Sequence, residues 1–587
     1  MSNRLTFIIA FLLLTFTFVF ALLGVRNDSL TMDELAHLPA GYSYLSQQDM
    51  RLNPEHPPLI KDLAAVPLLF MDEINFPDQS EDWKEDVNGQ WGFGNNLLYK
   101  SGNPAEKMIF WGRIPMILML VLLGFYIFLW TRKLFSNKAA VLALFLFSFS
   151  PTFLAHGSLV TTDVGAAFGA FMATFYFVKY LKESNKKNLI FAGIALGVAQ
   201  LLKFSLILLF PFFGILLIIW SILKSSDLKG FLIKFLKYLL RFALITAITF
   251  AIIWIVYLFH TLNYPPEKQA SDTAFILSSF SHRTLANTVV WMADKPVLRG
   301  IAHYFLGVFM ILQRASGGNT GYFIGEVSAA GWKAYFPTVY LIKETLVFHI
   351  LSVIALLYAV YLIKKPFWKD AKKRVGSWLR EHFAEFALMF FVAIYWATSL
   401  KSNLNIGVRH LLPVFPGVML LTAGLIGKGL SPRYKKIKIF GLAWLLLFQV
   451  YSVTSVFPHF LAYFNEAVGG AEMGHNYVVD SNLDWGQDLR RLDSWAESKN
   501  IDKIYLDYFG GADTKYHLGE KYVSWSGRNN PSEFPKNNYL AVSATLLQGG
   551  QGEPASSFTD PAGYYDWLDK YQLVERIGYS IFVFYIK

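Results

Sequence analysis

Asp33, Glu34, His37, Glu55, His56 and Lys61 lie close together, just after the first long apolar run of the chain. Carboxylates, imidazoles and an amine gathered beside a lipid-soluble segment are costly to keep there, so their presence points to chemistry. A hydroxyl is a poor nucleophile near neutral pH. A carboxylate within hydrogen-bond reach can take its proton as it attacks, and Asp33 and Glu34 are placed to do that. A second reading stands beside this one: Thr31, Asp33 and Glu34 form the N-terminal cap of a surface helix. In the stretch NPEHPPLIK (53–61) the two prolines forbid a helix just before them. They hold Glu55 and His56 in an extended turn. His56 and Lys61 suit a phosphate, and Glu55 suits a metal or the orientation of His56.

Four further places carry ionisable groups that stand out. SPTFLAHGSLVTTDVGAA (150–167) puts Asp163 in a very short turn between two apolar runs, with His156 nearby. An aspartate there also reads as a helix cap beside Thr161 and Thr162. NIGVRHLLP (405–413) sets Arg409 and His410 at the end of a run. Arg409 is either a bidentate phosphate ligand or an arginine reaching to a lipid headgroup. Lys343 and Glu344 sit together near the end of another run. RASGGNTGYFIGEVSAAGWKAYFP (314–337) is glycine-rich, and Trp332, Tyr335 and Phe336 read as interface anchors. It lacks the strand and spacing of a nucleotide-binding loop. VVDSNLDWGQDLRRL (478–492) holds Asp480, Asp484 and Asp488 beside Trp485. No glutamate falls at the twelfth position of a calcium loop, so it reads as a packing turn.

The elements that must position these groups are membrane helices. The chain has 587 residues, 54% hydrophobic and 16% charged. A soluble protein is roughly 25% charged. About eleven runs approach the roughly 20 apolar residues that cross a bilayer. They fall near 5–25, 109–130, 139–156, 163–181, 189–202, 205–223, 238–260, 337–363, 384–400, 411–428 and 439–458. The first reads as a retained span rather than a cleaved signal, since it is long and has no small-x-small site. With the N-terminus inside, the short loops 131–138, 182–188, 224–237, 364–383 and 428–438 are inner and rich in Lys and Arg. The net charge of +11 has that source. No nucleic-acid motif accompanies it. The chain has no cysteine, which excludes disulfides, zinc thiolates and a thiol nucleophile. The divisions are 1–260, with a long outer loop 26–108; 261–458; and a polar outer region 459–587. In the last, KIYLDYF (503–509), NYLAVSA (538–544) and YSIFVFYI (579–586) read as strands. DLRRLDSWAESKN (488–500) reads as a helix, giving a small α/β domain.

The pattern DE…H…GY followed by DMRLNPEHPPLIK resembles the first outer loop of GT-C glycosyltransferases. Among these it looks like the protein O-mannosyltransferases and the lipid A aminoarabinose transferases. The resemblance covers the first 260 residues, and the span pattern extends more loosely to 460. It implies a polytopic α-helical GT-C fold and transfer of a sugar from a polyprenyl-phosphate donor to a hydroxyl on a protein, lipid or glycan, with inversion. It implies Asp33 as general base with Glu34 as its acidic neighbour. Glu55 and Asp163 would be a second acidic site able to hold a divalent cation such as Mg or Mn. His56, Lys61 and Arg409 would face the donor phosphate. The DSNLDWGQD phrase also occurs in bacterial phospholipid-carrier-dependent members. No β-trefoil segment, as eukaryotic protein mannosyltransferases carry, is visible. A bacterial inner membrane, with the N-terminus cytoplasmic and residues 459–587 outside, fits the loop charges. The rival reading is a transporter or lipid-linked-sugar flippase. Such proteins place ionisable groups at mid-bilayer, whereas most spans here are uncharged at their centres.

Overall fold

All eleven apolar runs are helical in the computed structural model of the chain. The structure describes residues 1–72, 74–363, 369–429, 434–555 and 558–587, and among these the side chains of all but residues 315 and 316. Parts of two lysine-rich loops, 364–368 and 430–433, lie outside the described residues.

Among the described residues seven helices are long and apolar enough to cross a membrane: Asn3–Val25, Ala105–Leu134, Thr162–Lys182, Phe204–Leu223, Leu228–His260, Val408–Gly429 and Lys435–Thr454. Two bent pairs raise this to nine: Tyr335–Ile342 with Leu346–Tyr361, at 108°, and Ala371–Glu381 with Phe383–Ser399, at 97°. The other two apolar runs give Asn137–Ser148, 12 residues long, and Lys186–Leu202, of 17. Both are shorter than a span needs. The protein is therefore a polytopic helical membrane protein, with fewer full-length crossings than apolar runs.

Residues 26–108 fold into short helices on one end of the bundle, called here the loop face. Met32–Gln47 starts after the N-cap Thr31, and Leu59–Ala65 packs across it. The approach is close at Gly41, where an added Cβ would stand 2.0 Å from the Lys61 carbonyl oxygen. No side chain fits there.

Residues after 458 cover the same face. Their five-stranded sheet runs in the order Tyr522–Ser524, Ile504–Asp507, Asn538–Ser543, Ile581–Ile586, Leu573–Ile577. The first three strands are parallel and the last two antiparallel to their neighbours. Leu489–Ser498 is a helix, as its Leu489 and Leu492 stripe requires. The glycine-rich segment is a hairpin, Gly321–Phe323 with Glu326–Ser328, extended by Glu553–Pro554. Tyr335 and Phe336 are buried beneath it rather than anchored at an interface. Tyr335 packs against Phe323 of the hairpin, and its Oη accepts from Asn482 Nδ2.

Candidate active site

Four charged groups from four elements join in one chain on the loop face. Asp33 comes from the first turn of Met32–Gln47, and Asp163 from the first turn of Thr162–Lys182. Arg409 comes from the turn of 3₁₀ helix that opens the Val408–Gly429 span. Lys203 sits at the break after Lys186–Leu202. Arg409 Nη1 donates to Asp33 Oδ2 at 2.7 Å and to Asp163 Oδ2 at 3.3 Å. Lys203 Nζ donates to Asp163 Oδ1 at 2.5 Å. Asp163 is thus neutralised on both oxygens and buried. Asp33 keeps 24% of its side chain exposed. Its Oδ1 accepts no hydrogen bond from the protein among the described residues.

Glu34, next in sequence, has a different environment. It is fully buried. Arg113 grips it twice, Nε to Oε1 at 2.9 Å and Nη2 to Oε2 at 2.6 Å. Thr31 and Val160 N–H groups donate to it as well. Burial alone would push this carboxyl up, but Arg113 outweighs it and holds it below its ordinary value. With every lone pair directed at protein, Glu34 fixes the helix start and presents nothing to a substrate.

The NPEHPP turn is built from inside. Lys61 is fully buried, and its Nζ donates to Tyr44 Oη (2.7 Å), Asn53 O (2.8 Å), Asn53 Oδ1 (2.9 Å) and His56 O (2.8 Å). The ammonium pins the turn, so it does not face a phosphate. Burial lowers its pKa to about 7. Asn53, at φ 50°, takes the left-handed turn conformation asparagine tolerates. Glu55 Oε1 accepts from Gln90 Nε2 at 2.6 Å and Oε2 from Asn88 Nδ2 at 3.2 Å. His56 stands edge-on to His37, with ring centres 4.9 Å apart. His37 Nδ1 bonds Val160 O at 2.8 Å. Desolvation, with His37 and Lys61 close by, pushes His56 well below its ordinary value. The ring is a neutral hydrogen-bonding group at pH 7 and not a cation.

Glu55 and Asp163 do not make a metal donor set. Asp163 has cations on both oxygens, where a metal would sit, and Glu55 is held by two amides. No three His, Asp or Glu side chains converge for a metal among the described residues.

A cavity of about 840 Å³ opens beside Glu55. Its far wall comes from Phe280, His282, Met310 and Arg314. Arg314 lies within electrostatic range of His56, His410 and Asp480. Asp480 faces Asp33 and Arg409, and burial pushes its carboxyl up to about 6. Sequence reasoning missed Lys203 and Arg314, and read Asp480 only as part of a packing turn. Each lies at a helix end or turn, where a charged residue looks like ordinary solvated surface. The others sit near but apart. His410 Nε2 and His156 Nδ1 are buried without partners among the described residues. Lys343 Nζ donates to the carbonyls of Leu461, Tyr463 and Asn482, and Glu344 accepts from Ser150. That pair ties the bundle to the C-terminal region.

Residues 105–254 match the family model described as dolichyl-phosphate-mannose-protein mannosyltransferase. No curated protein matches the chain. Among solved structures it is similar to ArnT from Cupriavidus metallidurans bound to undecaprenyl phosphate. That pair has 12% identity, 100% of this chain and 98% of that one covered, and a TM-score of 0.45. It is similar to the oligosaccharyltransferase AglB from Archaeoglobus fulgidus, in complex with an inhibitory peptide and a dolichol-phosphate (12%, 90% and 69%, 0.43). It is similar also to the S. cerevisiae protein O-mannosyltransferase Pmt1-Pmt2 complex bound to the sugar donor (19%, 45% and 34%, 0.35). None of the three superposes closely enough to carry a residue's role to this chain. The family match falls on the spans that hold Arg113, Asp163 and Lys203, and with the first-loop motif it makes this chain similar to the GT-C glycosyltransferases.

Proposed function

We propose that the protein transfers a sugar from a polyprenyl-phosphate donor to a hydroxyl acceptor, with Asp33 as general base. The observation that carries this is Asp33 itself: one oxygen is fixed by Arg409, the other accepts no hydrogen bond among the described residues, and the side chain stays partly exposed. Held by Arg409, the carboxylate is oriented. Its Oδ1 takes the acceptor proton while the acceptor oxygen attacks the anomeric carbon. The bond from that carbon to the phosphate oxygen breaks, and its electron pair leaves with the lipid phosphate. A single displacement inverts the carbon. Charge growing on the phosphate needs preorganised cations. Lys203, Arg314 and Arg409 fill this role, and His56 supplies a neutral hydrogen bond. Of the solved neighbours, ArnT is bound to undecaprenyl phosphate and AglB to a dolichol-phosphate, which supports a lipid-phosphate carrier. The family match makes mannose the first sugar to try. The loop charges support a bacterial inner membrane with the loop face outward.

The test uses the full chain in liposomes with undecaprenyl-phosphate mannose, glucose and aminoarabinose. Wild type consumes one donor only when acceptor is supplied. Asp33→Asn lowers turnover at least about 10²-fold, the scale of general-base catalysis, and leaves donor binding within about twofold. Full turnover in Asp33→Asn removes the base assignment. Unaltered donor appearing in the opposite leaflet would indicate a flippase instead.

A further inference from the structure

The DSNLDWGQD segment reads in sequence as a packing turn, and several of its groups serve packing. Asn482 Oδ1 accepts from the Val408 N–H at 2.9 Å, and its Nδ2 donates to Tyr335 Oη at 2.8 Å. Asp484 Oδ2 accepts from the Thr545 N–H at 2.8 Å. Gly486, at φ 94°, lets the chain pass Gly510, whose Cα would stand 2.4 Å from an added Cβ. Two members do something else. Ser481 Oγ accepts from Arg409 Nε at 3.1 Å, and its own proton is committed to Ile406 O at 2.5 Å. The Trp485 ring lies under the Arg409 guanidinium, 4.2 Å from ring centre to Cζ. Both residues are buried. The same segment also holds the base. The Trp485 carbonyl accepts from the Met32 N–H at 3.1 Å, and the Gln487 carbonyl from the Ser29 N–H at 2.8 Å. These bonds bracket the start of the helix that carries Asp33.

An arginine between two carboxylates has freedom to slide. Nη1 is shared by Asp33 and Asp163, and the long side chain has many rotamers open to it. The face of an indole is the best aromatic platform for a guanidinium. It leaves the edge nitrogens free for the carboxylates. An acceptor at Nε then removes the remaining rotation. One segment of the C-terminal region thus fixes the base helix and its arginine in a single frame.

We propose that Ser481 and Trp485 are positioning residues that hold Arg409 against Asp33, so that the C-terminal region completes the active site. The catalytic consequence rests on the glycosyltransferase reading above; the positioning itself does not. Positioning is therefore read first without turnover, by phenylglyoxal labelling of the full chain in detergent with mass spectrometry of the adducts. In wild type, Arg409 and the buried Arg113 both react slowly. In Trp485→Leu, Arg409 reacts at least about tenfold faster, the loss of a desolvated cation–π contact, while Arg113 is unchanged. Trp485→Phe restores most of the protection, and Ser481→Ala lies between.

Turnover follows the same order. In Trp485→Leu kcat falls at least about tenfold with donor KM within about twofold, and the further loss is absent in an Arg409→Lys background because the two act through one group. Where Trp485→Leu fails to fold, Ser481→Ala carries the same measurement. Arg409 as slow in both variants as in wild type overturns the proposal. So does equal acceleration of Arg113 in both, which would make the segment a general folding element. Arg409 released in both variants with turnover intact supports the positioning and removes Arg409 from the glycosyl-transfer reading.

Discussion

Neighbouring acids illustrate how far side-chain type is from role. Asp33 and Glu34 are adjacent and chemically alike, yet one is partly exposed and the other wholly enclosed. A helix turns about 100° per residue, so adjacent side chains face different surroundings. Glu34 faces Arg113, and both sit where water does not reach. Removing one member of such a pair strands the other. Glu34→Gln should cost about 3–5 kcal/mol of stability, read as a lowered unfolding temperature in detergent. Lys61 is a second case. Its ammonium has four oxygen acceptors and no carboxylate. Its pKa falls from 10.5 to about 7 on folding. Between those values the unfolded chain binds the extra proton, so this group makes stability rise with pH across that window. In Lys61→Met that rise is lost, which a series of unfolding temperatures from pH 7 to pH 10 measures.

At the scale of elements, helix ends and turns carry the site. Asp33, Asp163, Lys203 and Arg409 all lie at the start or break of a helix. Two of them, Asp33 and Asp163, are acids in first turns, where the helix dipole favours negative charge. The capping reading and the functional reading are therefore compatible. The DSNLDWGQD turn shows the same economy. Asp484 is buried, and burial pushes its carboxyl up to about 8 from 3.8. The folded state holds its proton where the unfolded chain has released it. Stability from this group is full below pH 3.8 and drops as pH rises toward 8. Asp484→Asn, neutral at every pH, should remove that drop. A stability profile from pH 4 to pH 8 that stays as steep in the variant would refute it.

At the scale of the molecule, buried hydrogen bonds join the membrane bundle to the C-terminal region. Lys343 places its ammonium into carbonyls of Leu461, Tyr463 and Asn482, and Asn465 Nδ2 donates to the Leu341 and Glu344 carbonyls. Asp28 and Arg491 pair at 2.6 Å between the end of the first span and the helix Leu489–Ser498. Arg490 and Glu106 pair at 2.7 Å, but that contact is only half-buried and contributes about 1 kcal/mol at most. A chain ended after residue 470 should insert in the membrane yet show no transfer, since it lacks Ser481, Trp485 and the carbonyls that fix the Asp33 helix. Sugar transfer by the truncated chain, measured in the same liposome assay, would contradict this.

The sequence alone determined the membrane class, the position of the eleven long apolar runs and the motif around Asp33, because transfer to lipid and helix periodicity are local properties of composition; it left the helix Arg299–Gly317 unread within the outer segment 261–336. It placed three strands of the five-stranded sheet, 504–507, 538–543 and 581–586, and missed 522–524 and 573–577. It did not show which ionisable groups face one another. Asp33 and Arg409 are 376 positions apart, and Lys61 looked like a phosphate ligand until its ammonium was seen to point inward. Whether a charge meets water, another charge or a carbonyl depends on what the fold packs against it, and that set of neighbours comes from tertiary structure.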